Sequence, residues 1–266
     1  VVYPRWTAIK LHRANIRKVL EPEIRKRVAR MKESPDSKMP EDILQYMIQT
    51  YLVELSDAYF ESMTTWLLIM IFIGVHSTTE STTHVVYQLV AHPEYIKELL
   101  EEQEEALRGE ATSRGIVYNP TKAFEDGLFT LEVYKNSVKL DSFIRESLRM
   151  QSGAIIRPGE DVYINQWHIH NDEKTQKAEN EDIYNFHPYR YVGLEKQATR
   201  VGDGFIVFGM GRHACPGRWF AIQQIKGIVS MLIRNYNIAA DGPITRPGIG
   251  NSLRNPEGKV WIEKKK

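Results

Sequence analysis

A chain of 266 residues, 42% hydrophobic and 26% charged, is long enough for one large or two small soluble globular domains with a sizeable core. Its formal net charge of +1, from 35 basic and 34 acidic residues, argues against nucleic acid as the main partner, which demands a basic excess. The single cysteine excludes a disulfide scaffold and fits a reducing compartment. Because the first residue is Val1 and not methionine, a processed or excised piece is expected, and any signal peptide or anchor would have gone with the missing start.

Between residues 6 and 32, Ile9, Ile16, Val19, Leu20, Ile24 and Val28 recur among arginines and lysines, which predicts a helix packed by one stripe with a basic outer face. Residues 34–40, rich in proline, serine and aspartate, predict a loop. They form the one weak internal boundary in what otherwise reads as a single domain over 1–266. From residue 40 to residue 92 the pattern is helical again. Its centre, 63–75, is almost wholly apolar and by itself too short to span a bilayer, so it is expected in the middle of a large fold. Over residues 74–83, Gly74, Ser77, Thr78, Thr79, Ser81, Thr82 and Thr83 then weaken the helix, because glycine lacks helix propensity and the hydroxyls can bond back to the preceding turn and bend it. A buried helix that softens at its midpoint is expected to do so beside something.

Pro93 opens a predicted helix to residue 107, and Glu101, Glu102, Glu104 and Glu105 are assigned to its solvated face. Residues 109–120 predict a loop. Thr130 is placed as the cap of a helix to Met150, with Leu140, Ile144 and Leu148 in one row. Glu146 and Arg149 share a face of that helix, and spacing alone makes them a surface pair worth a few tenths of a kcal/mol. Residues 157–160 predict a turn and 161–170 a strand with His168 and His170 on one face, a pair that needs a third ligand to hold a metal. His76, Glu80 and His84 at helical spacing are a second metal set that chemistry allows. Residues 171–190 read as loop and 218–238 as helix, and a hairpin around Asn255, Pro256, Glu257 and Gly258 closes the chain. The fold class is mainly α with a minor β-sheet.

Cys215 lies in the segment Phe208-Gly209-Met210-Gly211-Arg212-His213-Ala214-Cys215-Pro216-Gly217, just ahead of the helical run from Arg218. Pro216 is expected at the first helical position, and helix N-termini favour anionic groups. This setting suits a metal ligand or a nucleophile better than a structural thiol. No histidine, aspartate or glutamate can be placed from spacing as the base a nucleophile needs.

The pattern Phe208-x-x-Gly211-x-His213-x-Cys215-x-Gly217 resembles the haem-binding loop of the cytochrome P450 superfamily, the haem-thiolate monooxygenases. Three more stretches match in the family's order. Glu146-Ser147-Leu148-Arg149 looks like its ExxR motif, Phe186-His187-Pro188-Tyr189-Arg190 like the segment whose arginine completes that ion-pair network, and residues 74–79 like the oxygen-binding kink of its long central helix. The resemblance moves Glu146 and Arg149 from the surface into a buried network with Arg190. It implies iron protoporphyrin IX held by Cys215, with Phe208 packed beside the loop and His213 at a haem propionate. His76 and Ser77, beside Thr78, then stand where the family has its proton-delivering acid–alcohol pair. Histidine in place of the acid is similar to fungal members.

The resemblance covers essentially the whole chain but only the C-terminal half of a family member, with a second shortening after Arg149, at 150–156. It implies insertion of one atom of O2 into a hydrophobic small molecule, in secondary metabolism, with electrons from an NADPH-dependent reductase docked on Arg212, Arg218 and Lys226. It also implies the cytosolic face of the endoplasmic reticulum membrane; without an anchor in the chain, a soluble cytoplasmic protein is the other expectation. The shortenings motivate two competing readings. One is a haem-free relic that binds a polycyclic or terpenoid intermediate and promotes its cyclisation or isomerisation. The other is a non-catalytic fragment.

Overall fold

The computed structural model describes residues 4–34, 37–150, 166–176, 183–245 and 257–265. The chain divides into two compact units, Val1–His76 and Ser77–Lys266.

In the first unit, α1 (Pro4–Glu33) and α2 (Ile43–Tyr51) pack with the opening turns of α3 (Asp57–Ala91). The predicted stripe is real at Leu20, Ile24 and Val28, which are buried with Met47, Ile48, Phe60 and Met63. Val19 is not part of it: the side chain is 77% exposed, on the far side of the helix from Leu20's neighbours. The helical reading of 40–92 is broken between Leu52 and Ser56, where each new helix finds its own cap. Asp42 Oδ1 accepts the Gln45 N–H at 2.8 Å, and Ser56 Oγ accepts that of Tyr59 at 3.3 Å. A cleft of about 640 Å³ is lined by Arg13, Arg17, Lys18, Arg25, Glu21 and Glu61. Arg13 and Arg17 bond Glu61, and Arg17 and Arg25 bond Glu21, so the cleft's arginines are paired with its own carboxylates.

The apolar centre of α3 is not buried. Trp66, Ile69, Met70, Ile71, Phe72, Ile73 and Val75 are all exposed, because in this unit only the first turns of the helix meet α1 and α2. By length and composition α3 is long and apolar enough to cross a membrane, with a mean hydropathy of 1.6 over 18 residues, although the 63–75 run alone is too short. The helix is also uninterrupted through the residues expected to soften it. The expected back-bonding is present, with Thr82 Oγ1 and Thr83 Oγ1 donating to the carbonyls of Thr78 and Thr79.

The second unit holds a 3-10 turn at Pro93–Tyr95, then α4 (Ile96–Ser113), α5 (Leu131–Asn136), α6 (Val138–Arg149), α7 (Gln166–His170), α8 (Glu173–Gln176), α9 (Arg218–Asn235) and the strands β1 (Tyr236–Thr245) and β2 (Glu257–Lys264). Leu89 and Leu99 join Leu140, Phe143, Ile144 and Leu148 of α6 and Ile222, Ile225, Val229 and Ile233 of α9 in one core. β1 and β2 pair antiparallel from Tyr236 opposite Lys264 to Asp241 opposite Lys259, so a hairpin is present, but Glu257 and Gly258, expected in its turn, begin β2, while Asn255 and Pro256 lie outside the described residues.

Four local expectations change. Thr130 caps only α5, and a break at Ser137 starts α6 anew. Glu102 is not solvated: its carboxylate accepts the N–H groups of Lys139 and Leu140 at 2.6 and 3.0 Å and so caps α6 from a neighbouring helix. Glu104 likewise meets Arg234 Nη1 at 2.6 Å and the hydroxyl of Tyr118. His168 and His170 lie on a helix, α7, with His170 buried and His168 exposed, so they do not form a strand pair. Residues 151–165, including the predicted turn, lie outside the described set.

Candidate functional site

Helix α6 supplies the anchor. With most of its turns facing the core, residues three apart can both point inward, and Glu146 and Arg149 are each fully buried. Arg149 donates from Nε to Glu146 Oε2 and from Nη2 to Oε1, both at 2.7 Å, the bidentate fork that suits a guanidinium to a carboxylate. Burial works against the Arg149 charge, but Glu146 more than offsets it and leaves the guanidinium above its usual range. Glu146 Oε1 also accepts Arg190 Nε at 3.3 Å and the His187 N–H at 3.1 Å. The carboxylate therefore fixes the segment carrying Phe186 and Arg190 as well as its own helix. The remaining Arg149 nitrogen, Nη1, donates to the His170 carbonyl at 2.9 Å and to Asn171 Oδ1 at 2.8 Å.

Two more groups of α6 hold the chain ahead of the cysteine. Arg145 Nη1 donates to the carbonyls of Gln197 and Arg200 at 2.7 and 2.9 Å, with its guanidinium 3.9 Å from the Phe205 ring centroid. Asp141 Oδ2 accepts the Ala198 N–H at 2.7 Å.

The cysteine loop closes on itself. The Gly209 N–H donates to Ile206 O at 2.9 Å and the Cys215 N–H to Phe208 O at 2.7 Å, with a 3-10 turn at Gly211–His213 between them. Gly209 at φ 72° and Gly211 at φ 57° take the left-handed conformations that the tight return requires. Phe208 packs against the core, and Cys215 is half-exposed. Arg218 Nη1 donates to Cys215 O at 2.7 Å and its Nε to Thr199 O at 3.0 Å, while its guanidinium lies 3.4 Å from the Trp219 ring centroid. Pro216 is not the first helical residue: α9 begins at Arg218 with Gly217 as N-cap. Exposed Met210, Trp219 and Phe220 leave apolar surface on both sides of the thiol in the chain. A half-exposed sulfur in a glycine-shaped loop with apolar flanks fits the axial ligand position of a haem.

A family model described as Cytochrome P450 matches residues 2–259. The chain belongs to the cytochrome P450 family. It is 27% identical over 255 residues to Cytochrome P450 monooxygenase 71 of Postia placenta, covering 86% of this chain and 47% of that protein. Cytochrome P450 monooxygenase CYP512U6 of Ganoderma lucidum is 28% identical over 236 residues, with 79% and 42% covered, and Cytochrome P450 monooxygenase ascG of Acremonium egyptiacum 28% identical over 220 residues, with 68% and 39% covered. The chain spans about half the length of the curated relatives it matches or less.

Of the P450 residues read from the sequence, Glu146, Arg149 and Arg190 come together, and Phe208, Gly211, His213, Cys215 and Gly217 form one loop. His213 is exposed, its Nε2 accepting from Arg212 Nε at 3.1 Å. His76 belongs to the first unit, where its ring stacks on Phe72 at 5.7 Å, whereas Ser77, exposed, and Thr78, buried, belong to the second. Among the described residues no three His, Cys, Asp or Glu side chains form a metal set, so the His76, Glu80, His84 grouping is not one.

The basic docking trio fails at Lys226. That side chain is buried, 2.6 Å from Asp141 Oδ1 and 2.9 Å from the Tyr134 carbonyl. Its position could have been read from spacing, since it falls on the same α9 face as Ile222, Ile225, Val229 and Ile233. Arg218 is half-buried and spent on the loop, which leaves Arg212 exposed.

Proposed function

We propose that this chain is the haem-thiolate part of a monooxygenase that inserts one atom of O2 into a hydrophobic small molecule of secondary metabolism, with electrons from an NADPH-dependent reductase. The observation that carries the reading is a half-exposed Cys215 in a glycine-closed loop, in the same unit as a Glu146–Arg149–Arg190 network whose Glu146 and Arg149 are fully buried. Cys215 Sγ would hold the iron, with Gly209, Gly211 and Gly217 keeping side chains out of the way and Phe208 backing the loop. His213, exposed beside Arg212, would meet a propionate. When bound, the haem supplies one-electron O2 chemistry, and a thiolate ligand favours O–O cleavage.

The chain's own part is to hold the thiol still, to exclude water and to move a proton. Arg218 and the Phe208 carbonyl fix the backbone on either side of the sulfur. The imidazole of His76 and the hydroxyls of Ser77 and Thr78 would hold and pass the proton, through water. Phe72 stacks on His76 with an interplanar angle of 7°. The exposed apolar residues from Trp66 to Val75 suit a hydrophobic substrate or a membrane surface, in keeping with the endoplasmic reticulum location implied by the family. Arg212 is the exposed cation left for an acidic reductase.

The test is haem itself. Protein reconstituted with haemin should show a Soret band and, after reduction under carbon monoxide, the band of thiolate ligation, and Cys215→Ser should abolish the latter. A folded protein that stays colourless with excess haemin overturns the proposal and leaves the haem-free readings.

A further inference from the structure

His170 touches both halves of the site. Its ring is fully buried, stacked on Phe205 at 5.6 Å with an interplanar angle of 18°. Nδ1 lies 3.3 Å from the carbonyl of Arg149, and Nε2 lies 3.0 Å from the backbone nitrogen of Ile206. A backbone N–H can only donate, so Nε2 is the acceptor, and Nδ1 carries the proton given to the Arg149 carbonyl. Arg149 returns the bond, its Nη1 donating to the His170 carbonyl at 2.9 Å. The histidine is thus doubly joined to the residue that grips Glu146.

On its other side the ring holds the backbone where the cysteine loop starts. Ile206 is buried, so its N–H would be an orphan donor without the imidazole. The carbonyl of the same residue accepts the Gly209 N–H at 2.9 Å, the first bond of the loop, and the carbonyl of Phe208 accepts the Cys215 N–H at 2.7 Å. The loop therefore has an anchor at each end, His170 upstream at Ile206 and Arg218 downstream at the Cys215 carbonyl. Gln176 Nε2 holds Gly204 O at 2.6 Å, but that contact precedes Phe205 and leaves the Ile206 amide to His170.

We infer that His170 is a positioning residue that transmits the rigidity of the Glu146–Arg149 pair to the cysteine loop and so fixes the height and direction of the Cys215 sulfur. It touches neither the sulfur nor the expected cofactor; it acts through the Ile206 amide. The inference rests on the haem-thiolate reading only for its purpose, because the bridge itself is a property of the chain.

Three substitutions separate positioning from bulk stability. His170→Gln reaches far enough to accept from Ile206 and carries a donor for the Arg149 carbonyl. His170→Asn is long enough for the Arg149 carbonyl alone, and Leu99→Ala destabilises the same core away from the bridge. Backbone hydrogen exchange of the haem-free protein is followed by mass spectrometry, below the melting temperature of each variant.

In His170→Asn, exchange in peptides spanning 205–217 is expected to quicken about tenfold or more while peptides from α6 and α9 keep their protection. His170→Gln should stay near the wild type, and Leu99→Ala should not single out 205–217. Haemin titration then gives an affinity about tenfold weaker for His170→Asn than for His170→Gln.

Equal exchange in 205–217 for the Asn and Gln variants overturns the inference, as does loosening of every segment together. Should the Asn variant fail to fold, the Gln variant decides: its loop protection must match the wild type. If no variant binds haemin but the exchange contrast holds, the cofactor reading falls and the bridge stands.

Discussion

Arg149 grips Glu146 through two parallel bonds of 2.7 Å, with neither side chain exposed to solvent. In such an enclosure each ion has lost its water, so removing one partner leaves the other a buried charge with only its weaker contacts, Arg190 and the His187 N–H for Glu146, the His170 carbonyl and Asn171 for Arg149. Glu146→Ala and Arg149→Ala are each expected to lower the unfolding free energy by about 3–5 kcal/mol, read from urea denaturation at pH 7. Arg149→Lys keeps the charge but cannot form the fork, and should recover only part of the loss. Full recovery by lysine would show that the fork geometry is irrelevant.

Spacing along the chain was informative where burial follows a helical period. It placed Leu140, Ile144 and Leu148 correctly in the core, and the same rule applied to α9 would have put Lys226 inside. It could not distinguish a surface Glu146–Arg149 pair from a buried one, since both have the same spacing; the motif resemblance supplied that difference. The all-apolar centre of α3 misled for a related reason. Composition shows that a surface is apolar, while what covers it depends on the rest of the fold, and within its unit α1 and α2 meet only the first turns. His170 was legible only as one of two histidines on an expected strand, a reading that the helix α7 overturns. Its role comes from a carbonyl 21 residues before it and an amide 36 residues after it, and no local pattern carries contacts of that range.

Burial pushes the His170 imidazole down from 6.5 to about 4, with the nearby Arg149 and Arg145 charges acting in the same direction. Between these values the unfolded chain binds the proton and the folded chain does not, so stability rises with pH across the window. The contribution is complete above about pH 6.5 and is lost as pH falls toward 4, about 3 kcal/mol in all. Subtracting the His170→Gln stability curve from that of the wild type isolates it from the carboxylates. A flat difference between pH 4 and 7 would sink the assignment of a neutral ring.

Lys226 separates a structural cation from a docking one. Its ammonium is buried against Asp141, so Lys226→Ala should cost about 3–5 kcal/mol by stranding that carboxylate, and the double variant with Asp141→Asn should cost less than the sum. Arg212→Glu, on the exposed loop, should leave the unfolding free energy within about 0.5 kcal/mol of the wild type and slow electron transfer from a reductase at low salt. A stable Lys226→Ala protein with impaired reduction would return Lys226 to the docking surface.

The loop glycines should fail in a fixed order, because each is needed for a different reason. At Gly209 the backbone is left-handed, and an added Cβ would stand 3.2 Å from the His213 carbonyl oxygen, so alanine incurs both strain and a contact with backbone that cannot swing away. Gly211 is left-handed in open space and incurs the strain alone, about 1–2 kcal/mol. Gly217 has an ordinary φ of −82°, and its added Cβ would meet only Cys215 Sγ at 3.8 Å. Gly217→Ala should therefore fold as the wild type does, whereas Gly209→Ala should be the least stable of the three in urea. Haemin titration adds the functional half of the argument. If Gly217→Ala is as stable as the wild type yet binds haemin more weakly, the glycine is there to let the porphyrin approach the backbone; equal affinity would show that Gly217 serves the helix start alone.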